Sequence, residues 1–287
     1  MSASEATKDS AGFCADLVRS HDFVRYASTL FMPAAQRRAL LAIYAFNAEI
    51  SRVREQVSQP LPGEMRLQWW TDMLEGAGHG EVEGNPVAAE LLQVIREFRL
   101  PVQSLSRLIE EHQFDLYNDP MPTMAALEGY LDATCSALFG LAARVMAPPS
   151  EAAEHVARHA GLAQGIAQVI ANLPRDSAHR QLFLPQQLLA AHGCEMEDVF
   201  AGKETPNLHA VLGQLVGEAE QHLTTALSLL PEVPAPARPA FLLLSQVRGD
   251  LKRLSQPGRN PFASQPPSRL RTLWTLWRAS RSRKFTK

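Results

Sequence analysis

The sequence predicts an all-α fold, and three features of the chain support this prediction. Ala and Leu are abundant and recur at intervals of three and four residues, which is the period of an amphipathic helix. Alternating runs of β-branched residues, which are typical of strands, are missing from the sequence. Pro and Gly cluster between the apolar segments, where they end helices and open loops.

Each predicted helix is an apolar periodic segment that ends at such a breaker. Pro33 separates the first helix from the second, the Pro-rich segment 231–239 separates the eighth from the ninth, and Pro257 precedes the last. In chain order, the predicted helices are 13–29, 34–56, 63–76, 86–98, 102–117, 124–146, 151–173, 206–229, 238–255 and 268–282.

Length and composition favour a single domain. With 287 residues and 46% hydrophobic content, the chain can bury a sizeable core. The segment PEVPAPARP resembles a linker, but the apolar run AFLLLSQVRGDL that follows it is typical of a core helix. No repeat of fixed period is visible, which argues against a solenoid. We predict a disordered N-terminus over 1–12, a helical domain over 13–265 and a basic amphipathic tail over 266–287.

Charge and cysteine content narrow the class of protein. The formal net charge is −2, and from Arg269 onward there are seven basic residues and no acid, so the remainder carries −2 minus 7, or −9. This balance argues against nucleic-acid binding by the body of the protein. Three widely separated cysteines without metal-binding spacing indicate a reducing cytoplasm. No segment approaches the roughly 20 apolar residues of a membrane span, and no export signal is visible.

The segment AFNAEISRVRE directs small polar groups toward the predicted interior. The helical period puts Asn47, Ser51 and Glu55 on the inward stripe, with Arg52 and Arg54 beside them. Two interpretations stay open, because the arginines can hold an anion directly or form ion pairs with nearby carboxylates. Those carboxylates are Glu49, Glu55 and Asp176.

The segment HAGLAQGIAQVIANLPRDSAHRQLFLP carries a second group of candidates. Its small residues recur at helical spacing and form a seam that admits another helix or a ligand. They are Gly161, Gly165, Ala167 and Ala171. Asn172 and Asp176 lie together if the helix continues through Pro174, which can kink it. A tight helix contact that ends in a capped loop is the alternative to a ligand site.

The segment EEHQFDLYND contains a series of carboxylates at four-residue steps. They are Glu111, Asp115 and Asp119. Such a series is typical of an exposed acidic helix end, and we prefer this interpretation. The alternative is a residual metal site that includes Asp115.

Two further groups of candidate site residues contain histidine. Glu151, His155 and His159 share one helix face, which is typical of a solvated surface or, less simply, of a transition-metal site that lacks a fourth ligand. His21 and Asp22 lie where the first predicted helix can be capped.

The tail SRLRTLWTLWRASRSRKFTK combines apolar and basic residues at helical spacing. The i, i+3, i+4 and i+7 positions are Leu270, Leu273, Trp274 and Trp277. Such a helix can lie on an anionic membrane through Leu270, Trp274 and Trp277, with Trp at the level of the headgroups. A last core helix with a solvated basic end explains the pattern equally well. The acidic remainder of the chain argues against RNA as a partner.

Four segments occur in the order and spacing of one protein family. They read YASTLFMPAAQRRALLAIYAFN, LQWWTDML, LEGYLDATCSALFGLAARVM and GIAQVIANLPRD, the last followed by FLP. Over about residues 20–255 the chain therefore resembles the squalene/phytoene synthase family. The resemblance implies an isoprenoid-synthase-type helical bundle with a central cavity, in which two prenyl diphosphates are joined head to head. It also implies Mg²⁺ bridged by carboxylates on two facing helices, because Mg²⁺ takes hard oxygen ligands.

The first metal patch departs from the family's pattern. That pattern reads Cys-Arg-x-x-Asp-Asp-x-x-Asp and falls on NAEISRVRE, which begins at Asn47. Ser51 and Arg52 replace two carboxylates, and Glu55 replaces the third. Ala48 stands where the family has an arginine that faces the diphosphate. This half of the Mg²⁺ site is therefore predicted to be lost.

The second patch keeps more of its pattern, which reads Asn-x-x-x-Asp-x-x-x-Asp. Asn172 and Asp176 match its first two members, and Arg175 matches the arginine before the aspartate. The third member falls at Arg180, in a loop shorter than the family's. If the protein is active, the resemblance implies Asn172 and Asp176 as catalytic residues and metal ligands, with Asp115 as a further ligand. The implied substrate-binding residues are Arg175, Tyr44, Glu55 and Arg52.

Within the family, YAFNAEISRVREQVSQPLPGEMRLQWW and the short loop NLPRDSAHRQLFLP resemble the branch that contains the mitochondrial complex I assembly factor. This resemblance implies a pseudoenzyme without Mg²⁺ that serves a protein partner in respiratory complex assembly, in a bacterium or a mitochondrion. We expect it in the cytoplasm, at the inner face of the membrane. Two alternatives stay open: an active prenyl transferase that condenses two prenyl diphosphates with Mg²⁺, and an isoprenoid- or lipid-binding protein.

Overall fold

The protein folds as a bundle of α-helices. The computed structural model describes residues 3–77, 84–263 and 268–286, and no strand occurs among them. The α-helices are α1 Ala3–His21, α2 Phe23–Thr29, α3 Ala34–Ser51, α4 Val53–Gln56, α5 Pro60–Leu74, α6 Pro86–Phe98, α7 Val102–Glu111, α8 Met124–Leu131, α9 Ala137–Met146, α10 Glu151–Ala178, α11 Gln186–Ala191, α12 Met196–Phe200, α13 Pro206–Leu229, α14 Leu244–Leu254, α15 Arg269–Ser280 and α16 Arg283–Thr286. The 3-10 segments are Phe114–Leu116, Leu230–Glu232 and Ala235–Phe241, and a π-helical segment covers Asp132–Ser136. The all-α prediction is therefore confirmed.

Helices α6 and α13 have the predicted bounds, whereas other predicted helices are broken by local backbone geometry. Asp22 ends α1 and caps α2, because its Oδ1 accepts a hydrogen bond from the Arg25 amide at 3.0 Å. Arg52, with φ −104° and ψ 5°, separates α3 from α4. Helices α11 and α12 were not predicted, since each is too short to display a helical period.

Helix α10 lies at the centre of the bundle, where it packs against α9, α13, α14 and the π-helical segment. It was predicted to end at residue 173 but continues through Pro174 to Ala178. A proline in the last turns removes one backbone hydrogen bond, and burial of Leu173 and Asp176 holds these turns in place. Asn172 and Asp176 therefore lie one turn apart on a single helix.

The small-residue seam of α10 contacts another helical segment. A Cβ atom added at Gly161 would lie under 3.0 Å from the Ser136 backbone, and one added at Gly165 would lie under 3.0 Å from the Leu131 side chain. Ser136 Oγ also donates to the Arg158 carbonyl at 2.9 Å. At Gly161 and Gly165 the seam therefore forms the tight helix contact that was one of its two interpretations, whereas Ala171 is exposed. The partners are the end of α8 and the π-helical segment, which interrupts the predicted helix 124–146.

The C-terminal helices pack on the bundle. Helix α15 contacts α2 and α14 and buries Thr272, Leu276 and Ala279, while α16 buries Phe285 against the 3-10 segment 235–241. Helix α1 crosses the predicted boundary at residue 12, and the predicted boundary at residue 265 lies outside the described residues. The division into N-terminus, domain and tail stays a prediction. Among the helices described, none is long and apolar enough to cross a membrane.

Candidate functional site

Four charged side chains of alternating sign meet in a row. They belong to Arg52, which precedes α4, to α4 itself and to α10. Arg52 Nε donates to Glu55 Oε2 at 3.1 Å, and Arg175 Nη1 donates to Glu55 Oε1 at 3.5 Å. Arg175 Nε also donates to Asp176 Oδ1 at 3.0 Å. We call these four residues, Arg52, Glu55, Arg175 and Asp176, the ion chain. Ion pairing, one of the two interpretations of Arg52, is therefore the arrangement in the structure.

Glu55 lies at the surface, and the prediction that it points inward was wrong. Its side chain is 45% exposed, whereas Asn47 and Ser51 are half-buried. The helix breaks at Arg52, so α4 does not continue the inward stripe of α3. Arg54 takes no part in the ion chain and donates to a backbone carbonyl at 3.4 Å.

Asp176 is the buried end of the ion chain, with 5% of its surface exposed. Burial raises the pKa of its carboxyl, while the charge and the hydrogen bond of Arg175 lower it. The charge of Asp115 raises it further, which indicates that the two carboxylates lie near each other. Arg175 is thus the group that favours the ionised form of Asp176.

Asp115 is buried, so the preferred interpretation of an exposed acidic helix end was wrong for this residue. Its Oδ2 lies 2.7 Å from His112 Nδ1, and its Oδ1 accepts a hydrogen bond from the Tyr130 hydroxyl at 2.7 Å. The 3-10 turn Phe114–Leu116 carries Asp115 inward at the end of α7, where sequence periodicity predicted a continuous helix. Both carboxylate oxygens therefore have a partner within the protein.

Tyr130 is a site residue that sequence reasoning missed, although it lies inside the quoted segment LEGYLDATC. Burial and the adjacent Asp115 raise its pKa well above the usual value, so the hydroxyl keeps its proton and donates it. Its ring packs against Phe114 and Phe183, with centroid distances of 5.9 Å and 5.5 Å. Periodicity gave no signal for this residue, because its partner Asp115 is carried inward by a 3-10 turn that the sequence pattern does not reveal.

The loop after α10 links Asp176 and Asp115 through hydrogen bonds to their backbone carbonyls. Gln181 donates its backbone amide to the Asp176 carbonyl at 2.8 Å and its side-chain amide to the Asp115 carbonyl at 3.2 Å. Arg180, which takes the third position of the second patch, turns away with φ +53° and pairs with Glu197 at 2.6 Å. The third metal-ligand position is therefore absent from the site.

Tyr44 lies apart from the ion chain, in the interior beneath Arg25. The buried Arg25 guanidinium donates to Asp22 Oδ2 at 2.5 Å and to Gln164 Oε1 at 3.0 Å, and lies 5.7 Å from the centroid of the Tyr44 ring. Burial raises the pKa of Tyr44 to about 12. Sequence reasoning missed Arg25, although a charge within the apolar segment before Pro33 was a visible signal.

The remaining histidine cluster does not assemble as one group. His155 Nε2 lies 4.0 Å from Glu151 at the surface, whereas the half-buried His159 turns to α13, where its Nδ1 lies 2.8 Å from His222 Nδ1. Within the described part of the chain, no three His, Cys, Asp or Glu side chains are arranged to hold a metal ion.

The side chains at the two patch positions do not suit the oxygen-rich shell that Mg²⁺ takes. The Arg52 guanidinium lies where the family's pattern has a carboxylate, and together with Arg175, which the pattern shares, it occupies carboxylate oxygens of Glu55 and Asp176. Asp115 has both oxygens engaged. The Mg²⁺ ligands that the resemblance implied are thus not assembled as a ligand set, and ion pairing is the chemistry of this site.

Comparison with known proteins identifies the family. The squalene/phytoene synthase profile matches residues 18–278. Complex I assembly factor 6 of Rattus norvegicus is 33% identical over 248 residues, which cover 86% of this chain and 74% of that protein. Phytoene synthase of Thermus thermophilus is 27% identical over 248 residues, which cover 84% of this chain and 82% of that enzyme.

The fold agrees with these sequence relationships. A crystal structure of a squalene synthase from Alicyclobacillus acidocaldarius superposes with a TM-score of 0.78 at 20% identity, covering 89% of this chain and 97% of the other. The predicted family and fold class are both confirmed. With matching segments over most of its length and the fold of these enzymes, the chain belongs to the squalene/phytoene synthase family.

Proposed function

We propose that this protein is a non-catalytic member of its family that acts as an assembly factor for respiratory complex I. Relatives named as complex I assembly factor 6 are 30–33% identical in mammals, which supports this assignment. The observation that carries the proposal is the ion chain, in which Arg52, at a position where the family's pattern has a carboxylate, pairs with Glu55. The partner is a protein of the respiratory complex or of its assembly pathway.

The positive charge near the two metal patches opposes the binding of Mg²⁺. Family enzymes must neutralise a diphosphate with Mg²⁺, and a second cation beside that ion opposes its binding. Two unit charges about 4 Å apart repel by about 4 kcal/mol at an effective dielectric constant near 20. Arg52 stands where the family's pattern has a carboxylate and pairs with Glu55, one of the carboxylates that would hold the metal. The ion chain therefore favours a protein without Mg²⁺ over the alternative of an active prenyl transferase.

A buried polar network in the interior also favours a protein that binds no prenyl chain. Arg25 and Gln164 form a buried polar network with Asp22 between α2, α3 and α10. An apolar prenyl chain that entered there would have to leave these groups without partners, which costs several kcal/mol for a buried ion pair. The network therefore also argues against the alternative of an isoprenoid- or lipid-binding protein.

Calorimetric titration with farnesyl diphosphate, with and without Mg²⁺ and followed by product analysis, tests the proposal. We expect no Mg²⁺-dependent heat and no release of diphosphate. Mg²⁺-dependent binding with product would overturn the non-catalytic assignment. Binding of the prenyl diphosphate that does not depend on Mg²⁺ and gives no product would support the carrier alternative instead.

A genetic complementation separates assembly from catalysis. In a strain that lacks this gene, we expect membrane NADH dehydrogenase activity to fall and to be restored equally by the parent protein and by the Asp176→Asn variant. Asn keeps the size of Asp176 and one oxygen that can accept from Arg175, but it removes the charge that a metal would need. Restoration by the parent alone, with both proteins present at equal levels, would contradict a role without turnover.

We propose further that the protein works at the inner face of the membrane, where α15 provides the contact. Leu270 is 78% exposed and Trp274 59% exposed, while Trp277 stacks on Trp274 with ring centroids 4.9 Å apart. The exposed basic residues around them are Arg269, Arg271, Arg278, Arg281, Arg283 and Lys284. The opposite face of α15 packs on the bundle, as the interpretation as a last core helix predicted, and the exposed face remains for the proposed membrane contact.

Vesicle sedimentation tests this contact. Near an anionic surface each cation contributes about 1 kcal/mol, so we expect binding to phosphatidylglycerol-containing vesicles and little to phosphatidylcholine alone. Leu270→Ser with Trp274→Ser should weaken binding about tenfold or more. Leu61→Ser with Met65→Ser removes two equally exposed apolar side chains from α5 and should leave binding unchanged. Equal loss in both double variants would contradict the role of α15.

A further inference from the structure

A cavity of about 700 Å³ lies where α1, α3, α4, α5 and the start of α6 meet. We call it the aromatic cavity. Ligand pockets of proteins commonly have volumes of about 300–1,000 Å³, and this volume falls within that range. The side chains that line it include Phe13, Glu49, Val53, Arg66, Trp69 and Trp70. None of them belongs to the ion chain or to the cluster around Asp115.

Aromatic rings form much of the apolar part of the cavity wall. Trp70 is buried and packs edge-on against Trp69 and Phe46, with centroid distances of 4.9 Å and 5.0 Å. Edge-to-face aromatic pairs of this kind stabilise each other beyond the effect of their burial. Phe13 is 47% exposed, so a ligand that covered its ring would remove apolar surface from water.

One carboxylate faces this apolar space without a partner. Glu49 is half-buried on α3, and within the described residues its side chain forms no hydrogen bond or ion pair. Arg66, the basic residue of the lining, is exposed and donates to Gln56 Oε1 at 2.5 Å. The uncompensated charge beside the tryptophans is therefore negative, and an indole face also attracts cations.

From this arrangement we infer that the aromatic cavity binds small organic cations, compounds with an aromatic or aliphatic body and a protonated amine. The body would lie against Phe13 and Trp69, and the amine would donate to the Glu49 carboxylate. The charge-assisted hydrogen bond sets the preference for a cation, because such bonds are about twice as strong as neutral ones. This site is independent of the proposed assembly function and of the ion chain.

Titration with three probes of one shape tests the inference, with tryptophan emission as the readout. The probes are 2-phenylethylammonium, which is cationic, 2-phenylethanol, which is neutral, and phenylacetate, which is anionic. We expect a saturable change with the cation and at least about tenfold weaker binding of the other two. No saturable change with the cation, equal affinity for cation and alcohol, or tightest binding of phenylacetate would overturn the assignment.

Variants locate the binding. Glu49→Gln should weaken binding of 2-phenylethylammonium about tenfold, and Glu75→Gln, which removes a charge from an exposed position beyond α5, should not. Trp69→Phe should reduce the emission change, because Trp69 and the buried Trp70 are the tryptophans of the lining, whereas Trp274 and Trp277 lie on α15. Phe13→Ala, at an exposed position that the fold tolerates, should also weaken binding. Unchanged affinity in both Glu49→Gln and Phe13→Ala would place the probe elsewhere and overturn the inference.

Discussion

Asp115 is held by two side-chain partners, His112 and Tyr130, in a part of the molecule where sequence periodicity suggested solvent. The phenol keeps its proton because burial and the neighbouring carboxylate raise the pKa of Tyr130 well above the usual value. It therefore donates to Asp115 at all ordinary pH values. A buried carboxylate that loses such a donor keeps its desolvation cost without compensation.

Replacing Tyr130 by Phe should therefore destabilise the protein by about 1–3 kcal/mol, because Asp115 Oδ1 loses its donor while the ring keeps its packing. The free energy of unfolding in urea measures this change. Tyr117→Phe is the matched control, since the Tyr117 hydroxyl donates to Glu64 at the surface, and its effect should stay within about 0.5 kcal/mol. Equal effects of the two substitutions would contradict the role assigned to Tyr130.

At the scale of elements, the contact between α10 and the π-helical segment sets how closely the central helices approach. Gly161 lies against the Ser136 backbone, and backbone atoms cannot move aside as a flexible side chain can. The contact therefore depends on the absence of a Cβ atom at this position.

Gly161→Ala should destabilise the fold by about 1–3 kcal/mol, because the new methyl group would overlap the Ser136 backbone. Gly217→Ala in α13 is the control: a Cβ there meets nothing within 4 Å, and the helix should gain up to about 1 kcal/mol from alanine's higher propensity. Thermal unfolding of both variants gives the comparison. A Gly161→Ala protein as stable as the parent would refute the close approach.

The contact between α10 and α13 contains the His159–His222 pair, which should make stability depend on pH. Burial lowers the pKa of both rings from 6.5, and for His159 the charge of His222 lowers it further. The unfolded chain therefore binds more protons than the folded one as pH falls through 6.5, and the free energy of unfolding decreases. This stability is present above the unfolded pKa and is lost on acidification.

Urea unfolding at about pH 7.5 and about pH 5.5 measures this dependence. In the His222→Gln variant, the difference between the two midpoints should be smaller than in the parent, because the pair can no longer compete for protons. His155→Gln, on the exposed face of α10, should leave the difference unchanged. A parent protein whose midpoint is the same at both pH values would contradict the assignment.

At the scale of the molecule, the sequence predicted helices well wherever an apolar period runs between breakers, as in α6 and α13. It missed breaks that arise from single contacts, such as the cap at Asp22 and the turn at Arg52, because these depend on local hydrogen bonding rather than on period. Sequence reasoning correctly grouped Arg175 with Asp176. It wrongly predicted that Glu55 points into the protein interior. The direction of Glu55 depends on the break, which periodicity cannot detect.

If Arg52 excludes Mg²⁺ from this site, then restoring carboxylates should admit it. Ser51→Asp with Arg52→Asp restores the first two carboxylates of the family's first patch, removes the Arg52–Glu55 ion pair while Arg175 still pairs with Glu55, and changes the local charge by −3. We expect calorimetric titration with Mg²⁺ and inorganic pyrophosphate to detect binding in this variant and none in the parent, because three carboxylates then face the ion. Ser106→Asp with Arg107→Asp changes another Ser-Arg pair, on α7, by the same charge and should bind no more Mg²⁺ than the parent. Binding by the parent itself, or equally by both variants, would mean that Arg52 is not what distinguishes this chain from the enzymes of its family.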